Sequence, residues 1–337
     1  MNPTNFAKHL TNFFAVYLKE QKNASRNTIS AYKDAFKLLL KYCQDIRGIA
    51  IERIRMDIIT AELVKGFLNW IEQDRKCSVA TRNQRLAALH SFFRYVQGED
   101  PSAIYAFQKI ISIPIKKTEK KALSHLTPEA VKLLLDQPDK CSPKGRRDLT
   151  LLSVLYDTAA RVQELIDVEI KDIRLDSPAV LLLKGKGNKQ RRVPLMKNTA
   201  TLIQQYLLEN DLNAPWKNQY PLFVNSQKRK LTKEGVAYIL TKYAKMARAV
   251  SPIFISHISP HVLRHAKAMH LLQAGVNLIY IRDYLGHLDL KTTEIYARAD
   301  TETKRKAIEK AFPEIASGQL PDWNKDKDLL TWLSELK

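Results

Sequence analysis

Apolar residues recur at helical spacing through almost all of the first hundred positions, and this pattern restricts the fold more than any other feature. One stripe begins with Phe6, Leu10 and Phe13, and a second follows in residues 29–42. Residues that recur every three or four positions lie on one helical face and are buried together against neighbouring helices. The segment from Asn5 to Val96 is therefore predicted to be a small all-helical bundle.

A charged segment that contains proline separates this bundle from the rest of the chain. It begins at Pro114 with the letters P-I-K-K-T-E-K-K, a composition typical of a linker. A helix start follows at once, because Thr127 can cap a helix and Pro128 suits its first turn. At 337 residues two domains are expected. We predict a helical domain over 1–113, a linker over 114–125, a second domain over 126–312 and a tail over 313–337.

The second domain carries the only convincing strand pattern. Its predicted helices at the start are Pro128–Leu135 and Arg147–Ala159, and helices return from Thr199 to Phe312. Three short runs between them alternate as strands do, and residues 185–189 form a turn between the last two. These runs are Ile170–Leu175, Val180–Lys184 and Arg191–Leu195. The prediction is a mainly α protein whose second domain is α+β with a small antiparallel sheet.

The last residues form a separate amphipathic pattern. From Asp322 to Leu336 the spacing predicts a short helix with Asp322 as its cap. Its apolar stripe consists of Leu329, Trp332, Leu333 and Leu336. A helix of this length is marginal alone in water, so it must dock on its own domain or on a neighbouring subunit.

Charge restricts the class of partner. Lys and Arg number 55 against 35 Asp and Glu, which gives a formal net charge of +20 spread along the chain. Such a surface favours a polyanion, first nucleic acid and second an acidic membrane. No run is apolar enough to span a bilayer or to form a signal peptide, and the three scattered cysteines indicate neither a disulfide framework nor a zinc site. We expect a cytoplasmic protein that does not enter a membrane.

Two predicted helices of the first domain begin with basic turns, at Ser25 and at Ser78. A capped helix start attracts anions, so these turns suit DNA phosphates, although a solvated basic face is the alternative. The predicted DNA contacts of the whole chain, which include two residues of the later hairpin, are Arg26, Asn27, Thr28, Arg82, Asn83, Arg85, Lys189 and Arg191.

The run His261-Val262-Leu263-Arg264-His265 is the densest functional signal. On a helix His261, Arg264 and His265 share one face, which predicts an anion or metal site. Zinc proteases use two His at this spacing but require a Glu directly after the first, and here that position is Val262. No nearby carboxylate supplies a third ligand, so we predict no metal.

Arg161, in A-A-R-V-Q-E-L, strengthens the anion interpretation. Two guanidiniums, from Arg161 and Arg264, can clamp a phosphate and neutralise a pentacoordinate transition state. Taken alone, an Arg beside Glu164 is more often a structural ion pair. The remaining motifs favour the phosphate site.

With these motifs the chain resembles the tyrosine recombinase, or phage integrase-like, family, and most closely its bacterial Xer-type and transposon-borne members. The resemblance spans nearly the whole length and includes the helical first domain. It rests on Arg161 in its string, the G-K-G-N-K hairpin, His261-x-x-Arg264, Leu285-Gly286-His287 and Tyr296 in T-T-E-I-Y. The departures are Ala160 where Gly is common, and Ala266-Lys267 where Thr and Phe are frequent; neither is a reacting group.

The resemblance implies a role for each matching position and a SAM-like, core-binding fold for the first domain. The implied catalytic residues are Arg161, Lys186, His261, Arg264, His287 and Tyr296. Both arginines and His287 would hold the scissile phosphate, His261 would accept the phenolic proton, and Lys186 would protonate the departing 5′ oxygen. Tyr296 would attack phosphorus and form a 3′-phosphotyrosyl bond. Glu164 and His265 are expected to support these groups without touching DNA.

This chemistry needs neither ATP nor a metal, and the chain has no nucleotide-binding loop of the G-x-x-x-x-G-K type. We therefore expect no cofactor. The partners are expected to be duplex DNA with a specific site and further copies of the chain, as a tetramer joined through the C-terminal helix. Three alternatives stay open: a monomeric type IB-like topoisomerase, a recombinase for chromosome dimer resolution, and a non-catalytic DNA-binding protein.

Overall fold

The structure is a computed structural model that describes residues 3–100, 104–118, 125–185, 189–252, 254, 258–299, 305 and 329–336. The chain divides into two compact units, Met1–Lys121 and Ala122–Lys337, and each has its own apolar core. The point of division falls within the segment that the sequence marks as a linker. In the described residues no helix is both long and apolar enough to span a membrane.

The first unit contains helices and no strand in its described residues, as predicted. A π-helical segment, Phe13–Gln21, continues directly from the first helix and was not predicted from the apolar spacing. The α-helices are α1 Asn5–Asn12, α2 Arg26–Asp45, α3 Ala61–Gln73, α4 Val79–Glu99 and α5 Ile104–Ile111.

Side-chain caps and aromatic packing account for these helices. Ser25 and Ser78 cap α2 and α4, since each hydroxyl accepts from the backbone N–H three residues later. Phe13 is fully buried at the centre of the unit, where its ring stacks on Tyr32 and meets Phe92 edge to face at 5.3 Å. The stripe found in the sequence is therefore the core of the bundle.

The second unit combines helices with one small sheet, which confirms the predicted fold class. Before the sheet lie α6 Pro128–Leu135, α7 Pro143–Asp157 and α8 Val162–Ile166. After it come α9 Lys197–Glu209, α10 Lys233–Val250, α11 Pro260–Gln273, α12 Leu278–Leu285, α13 Glu294–Ala299 and α14 Leu329–Glu335.

Three antiparallel strands form the sheet in the order β1-β2-β3. They are β1 Ile173–Arg174, β2 Val180–Lys184 and β3 Gln190–Pro194, and Leu183 pairs with Arg191. The predicted first strand is wrong in its first half, because Ile170–Asp172 is a 3₁₀ turn. The Asp172 carboxylate accepts from the Glu169 backbone N–H and from Lys184, and these bonds tighten the turn.

Helix α7 differs from its predicted bounds at both ends. It begins at Pro143, four residues earlier than predicted, because Ser142 caps it by accepting from the Gly145 N–H. It ends at Asp157, and Ala159 then adopts a φ of +48°, which turns the chain before Arg161. This turn sets the position of Arg161.

Only the last part of the predicted C-terminal helix lies within the described residues. Its described part is Leu329–Glu335, and the predicted cap, Asp322, lies outside the described residues. Leu333 and Leu336 are 51% and 59% exposed. Part of the predicted apolar stripe is therefore open to solvent.

Candidate active site

Arg161 lies at the N-cap position of α8, directly after the turn at Ala159. Its backbone N–H donates to Glu164 Oε2 at 2.9 Å, and its guanidinium Nη1 donates to Glu164 Oε1 at 2.7 Å. The side chain is still 38% exposed. One edge of the guanidinium is therefore oriented by the carboxylate while the rest remains accessible to an anion.

Arg264 reaches the same site from α11 but is buried, with only 3% of the residue exposed. It donates to the Ala159 carbonyl at 2.6 Å and to the Leu285 carbonyl at 2.5 Å. Burial, followed by the charges of Arg161 and Arg191, lowers the pKa of Arg264 to about 10, so it remains a cation at pH 7. The Arg264 guanidinium thus connects α11 with the turn at Ala159 and with the end of α12.

Glu164 is the anion at the centre of this arrangement. It is 3% exposed, and besides Arg161 it accepts from Arg191 Nη2 at 2.8 Å, with Arg264 Nη1 at 4.0 Å. Burial alone raises the pKa of a carboxyl, but the bonds and charges of Arg191 and Arg161 lower that of Glu164 to about 2. One ionised carboxylate therefore organises three guanidiniums.

Tyr296 lies in α13 and is almost wholly buried, at 1% exposure, among residues that include Met269 and Leu285. Its hydroxyl is 2.8 Å from Nδ1 of His265. Burial raises the pKa of Tyr296, whereas the charges of Arg264 and Arg161 act in the opposite direction. The phenol is therefore protonated at pH 7 and requires a base.

The two histidines of α11 occupy different environments. His261 is exposed on the first turn of the helix, and burial of part of its ring, then Arg264 and Arg161, lower its pKa. Burial and neighbouring charges also lower the pKa of His265, so its Nδ1 can accept a proton at pH 7. The sequence assigned the phenolic proton to His261, but the phenol's hydrogen-bond partner in the structure is His265.

His287 follows Gly286, which ends α12 with a φ of +65°. Its Nδ1 lies 2.9 Å from the hydroxyl of Thr293, a fully buried residue. Burial and then Arg264, Arg161 and Arg191 lower the pKa of His287 to about 4, so the ring is neutral. If Thr293 donates to Nδ1, the ring proton is on Nε2 and can be donated to a phosphate oxygen. The sequence analysis did not single out Thr293, although it lies within the T-T-E-I-Y motif.

Lys186 lies outside the described residues, as do Gly187 and Asn188. The described ends of its hairpin are Gly185 and Lys189, joined by a bond from the Gly185 N–H to the Lys189 carbonyl at 2.7 Å. A Cβ placed on Gly185 would lie 3.2 Å from Glu164 Oε1. The base of the hairpin therefore packs against the carboxylate that orients Arg161.

Two of the three predicted DNA contacts of α4, Arg82 and Asn83, have partners within the first unit. Arg82 is 6% exposed, and its Nη1 donates to the Pro114 carbonyl at 3.1 Å. Asn83 bonds in both directions with the backbone of Lys116, whose ammonium pairs with Glu72 at 2.7 Å. The buried guanidinium of Arg82 therefore holds this segment, and a DNA contact by Arg82 stays a prediction.

The remaining predicted contacts divide into exposed and enclosed residues. Arg26 and Asn27 at the start of α2 and Lys189 in the hairpin are exposed, whereas Arg85 is partly buried. The Thr28 hydroxyl lies 2.9 Å from that of Ser25, within the cap. The side chain of Arg191 is only 13% exposed and pairs with Glu164, and its DNA contact likewise stays a prediction.

The described residues contain no group of three or more His, Cys, Asp or Glu side chains that could hold a metal ion. The charges that converge on the site are instead three guanidiniums, balanced by one carboxylate. Such an arrangement has an excess of positive charge and suits a phosphate diester.

Family models match both units. One described as the N-terminal SAM-like domain of phage integrases covers residues 11–99, and one described as the phage integrase family covers residues 124–303. The chain belongs to the phage integrase family. The predicted resemblance is confirmed, and the residues matched by the second model include Arg161, Arg264, His287 and Tyr296.

Curated relatives align with most of the chain. The protein y4rC of Sinorhizobium fredii, named as an integrase/recombinase, is 35% identical over 97% of both chains. Tyrosine recombinase XerD of Listeria monocytogenes is 31% identical over 89% of this chain and 96% of its own. Tyrosine recombinase XerC of Bacillus pumilus is 30% identical over 91% of this chain and 97% of its own.

Solved structures share the fold. XerH site-specific recombinase bound to difH substrate, in a pre-cleavage complex, has a TM-score of 0.64 and 26% identity over 88% of this chain and 83% of that one. The Tn1549 transposon integrase in complex with transposon right end DNA has a TM-score of 0.67 at 17% identity, over 89% and 98%, a likeness of fold alone. The protein is a tyrosine recombinase, an enzyme that cuts and rejoins DNA strands.

Proposed function

We propose that the recombinase exchanges strands between specific duplex sites with six residues: Arg161, Lys186, His261, Arg264, His287 and Tyr296. The observation that carries this proposal is the convergence of helices α8, α11, α12 and α13 on one place, where Glu164 and two guanidiniums lie near a buried tyrosine. A site with this charge balance binds a phosphate diester and stabilises the additional negative charge of a pentacoordinate transition state.

In the proposed step the Tyr296 oxygen attacks the scissile phosphorus while the bond from phosphorus to the 5′ oxygen breaks. The phenolic proton passes to a histidine, and Lys186 gives a proton to the leaving 5′ oxygen. The product is a 3′-phosphotyrosyl ester and a free 5′ hydroxyl. A second 5′ hydroxyl reverses the step on a new partner strand, so the phosphodiester energy is conserved without ATP.

His261 remains the proposed acceptor of the phenolic proton, and His265 is proposed to orient the phenol. The support for the first role is its exposed position on the turn that also carries Arg264, where a bound phosphate would lie. The support for the second is the 2.8 Å contact with Tyr296. Both rings are neutral at pH 7, so either can accept a proton.

Covalent capture in the presence of a metal chelator tests this function. We expect the wild-type chain to form an adduct that survives denaturant when it is mixed with a random library of nicked duplexes and excess chelator, because guanidiniums hold the phosphate. Absence of any adduct would exclude strand cleavage by this chain. Adduct formation that needs added zinc or magnesium would contradict the metal-free site.

The sequences captured also separate two biological roles. We propose that the enzyme integrates, excises or transposes a mobile element. This role agrees with the name of the 35% identical relative and with the fold shared with a transposon integrase. In that case the captured site adjoins the gene. Chromosome dimer resolution, supported by the identity to XerD and XerC, instead predicts one site at a distant chromosomal position. Either role places the protein in the cytoplasm, on DNA.

The C-terminal helix supports a further part of the proposal, a tetramer on paired sites. Two exposed leucines, Leu333 in α14 and Leu336 just after it, make this segment suitable for docking on a neighbouring subunit. We expect deletion of residues 320–337 to leave binding to a single site unchanged and to abolish synapsis and strand exchange. Gel shift on one site and recombination between two sites on a plasmid measure these effects. If the truncated chain recombined at the wild-type rate, docking of the C-terminal helix on a neighbouring subunit would be disproved.

A further inference from the structure

Arg191 occupies an unusual place for an arginine of a basic hairpin. It lies on β3 on the same face as the buried Val193, and its side chain is only 13% exposed. Its Nη2 donates to Glu164 Oε2 at 2.8 Å, and its Nε donates to the Tyr284 carbonyl at 3.0 Å. One guanidinium therefore connects β3 with α8 and with the end of α12.

The end of α12 rests directly on this guanidinium. Gly286 ends the helix in the left-handed region, and a Cβ on Gly286 would lie 2.9 Å from Nη1 of Arg191. His287 is the next residue, and it is one of the proposed phosphate ligands. Arg191 thus supports the turn from which His287 projects. Any side chain at position 286 would displace the Arg191 guanidinium.

The carboxylate of Glu164 is shared between two arginines. The guanidiniums of Arg191 and Arg161 bond to different oxygens, Oε2 and Oε1. Without Arg191 the buried carboxylate would lose a charged partner, and burial of an incompletely paired anion is costly. Glu164 would then draw the Arg161 guanidinium onto both oxygens, away from a phosphate.

We propose that Arg191 is a positioning residue for the phosphate-binding groups, acting on Arg161 through Glu164 and on His287 through the end of α12. This inference rests on the proposed function and replaces the role of a direct DNA contact that the sequence predicts for Arg191. It also assigns a reason to the glycine of the Leu285-Gly286-His287 motif, which is contact with the guanidinium as well as the backbone conformation.

The neighbouring arginine provides a matched control. Arg192 lies on the opposite face of β3 and is exposed, so Arg192→Ala removes the same charge from the same strand. At saturating DNA we expect Arg191→Ala to form the adduct about 100-fold more slowly, the loss typical of reacting groups displaced by a remote change. Arg192→Ala should react at the wild-type rate. Equal rates for the two variants would overturn the inference.

A sulfur leaving group shows which catalytic groups are affected. In a duplex with sulfur in place of the scissile 5′ oxygen, the thiolate departs without a proton, so the substrate bypasses the acid Lys186. We expect this duplex to restore cleavage by Lys186→Ala and to leave Arg191→Ala as slow as before. Full restoration of Arg191→Ala would mean that Arg191 acts only through the hairpin lysine, which would overturn the proposal.

Addition of methylguanidinium separates positioning from general loss of structure. A small planar cation can occupy the space left in Arg191→Ala and should raise its adduct rate, whereas a chain that is merely destabilised would not gain activity from it. If Arg191→Ala does not fold, Arg191→Lys is measured in its place, because one ammonium cannot donate in the guanidinium's geometry to both acceptors. Wild-type cleavage by Arg191→Lys would also overturn the proposal. Failure of this inference can be distinguished from failure of the proposed function, because in the second case the wild-type chain would form no adduct.

Discussion

Replacement of Tyr296 by phenylalanine is expected to abolish covalent adduct formation, with a loss on the order of 10⁴-fold or more, because the phenolic oxygen is the nucleophile. The ring itself supplies packing among α11, α12 and the turn before α8, and phenylalanine preserves that packing. Only the hydrogen bond to His265 is lost, at a cost of about 1 kcal/mol. The variant should therefore fold and bind DNA as the wild type does.

A nicked suicide duplex is the appropriate substrate, since the cut strand diffuses away and the adduct accumulates. Two other tyrosines provide controls. Tyr280 is 71% exposed, and the Tyr284 hydroxyl donates to the Asp157 carbonyl. Tyr280→Phe and Tyr284→Phe should both retain cleavage. An adduct formed by Tyr296→Phe, and lost in either of these, would transfer the nucleophile to that residue.

Removal of either active-site arginine is expected to slow cleavage by about 10³-fold, because each supplies charge to the transition state. The two variants should differ in stability. Arg264→Ala leaves the carbonyls of Ala159 and Leu285 unpaired in a buried place, which costs about 2–4 kcal/mol. The melting temperature should then fall by roughly 5–15 °C.

Arg161→Ala should melt close to the wild type. Its side chain is 38% exposed, and Glu164 keeps Arg191 as a partner, so the cost is about 1 kcal/mol or less. Arg146→Ala is the control for both variants, since Arg146 pairs with Glu209 at the surface of the same unit and should not affect cleavage. Equal melting temperatures for Arg161→Ala and Arg264→Ala would contradict the difference in burial that the structure assigns to them.

The sequence predicted the helical elements because their spacing and caps are local. Ser25, Ser78 and Thr127 mark helix starts by a hydroxyl that accepts from a backbone N–H three residues on, a bond that depends on few neighbours. The error in the first strand arose where a distant group helps to decide the backbone. The segment from Ile170 forms a turn because Asp172 binds Lys184 of the next strand, and nothing within the segment indicates that contact.

The individual residues of the candidate site could be found from the sequence because each lies in a short motif of fixed spacing. The histidine in contact with the phenol could not be determined, since His261 and His265 share a helix face and only the position of α13 brings Tyr296 to one of them. Thr293 was missed for the same reason. A threonine next to a motif has no distinguishing signal until its hydroxyl is seen beside His287.

By itself the sequence determined the family, the two-part organisation, the mainly helical fold and the identities of the candidate reacting groups, because periodicity, caps and motif spacing are properties of the chain. Only the tertiary structure decided which basic residues are exposed and which are buried. Arg26 and Arg82 each follow closely after a capping serine, yet one is exposed and the other buried against Pro114. Arg191 and Arg192 are neighbours of equal charge, and the alternation of the strand directs only the first towards Glu164. Charge and local pattern are equal in such pairs, and burial by distant segments distinguishes them.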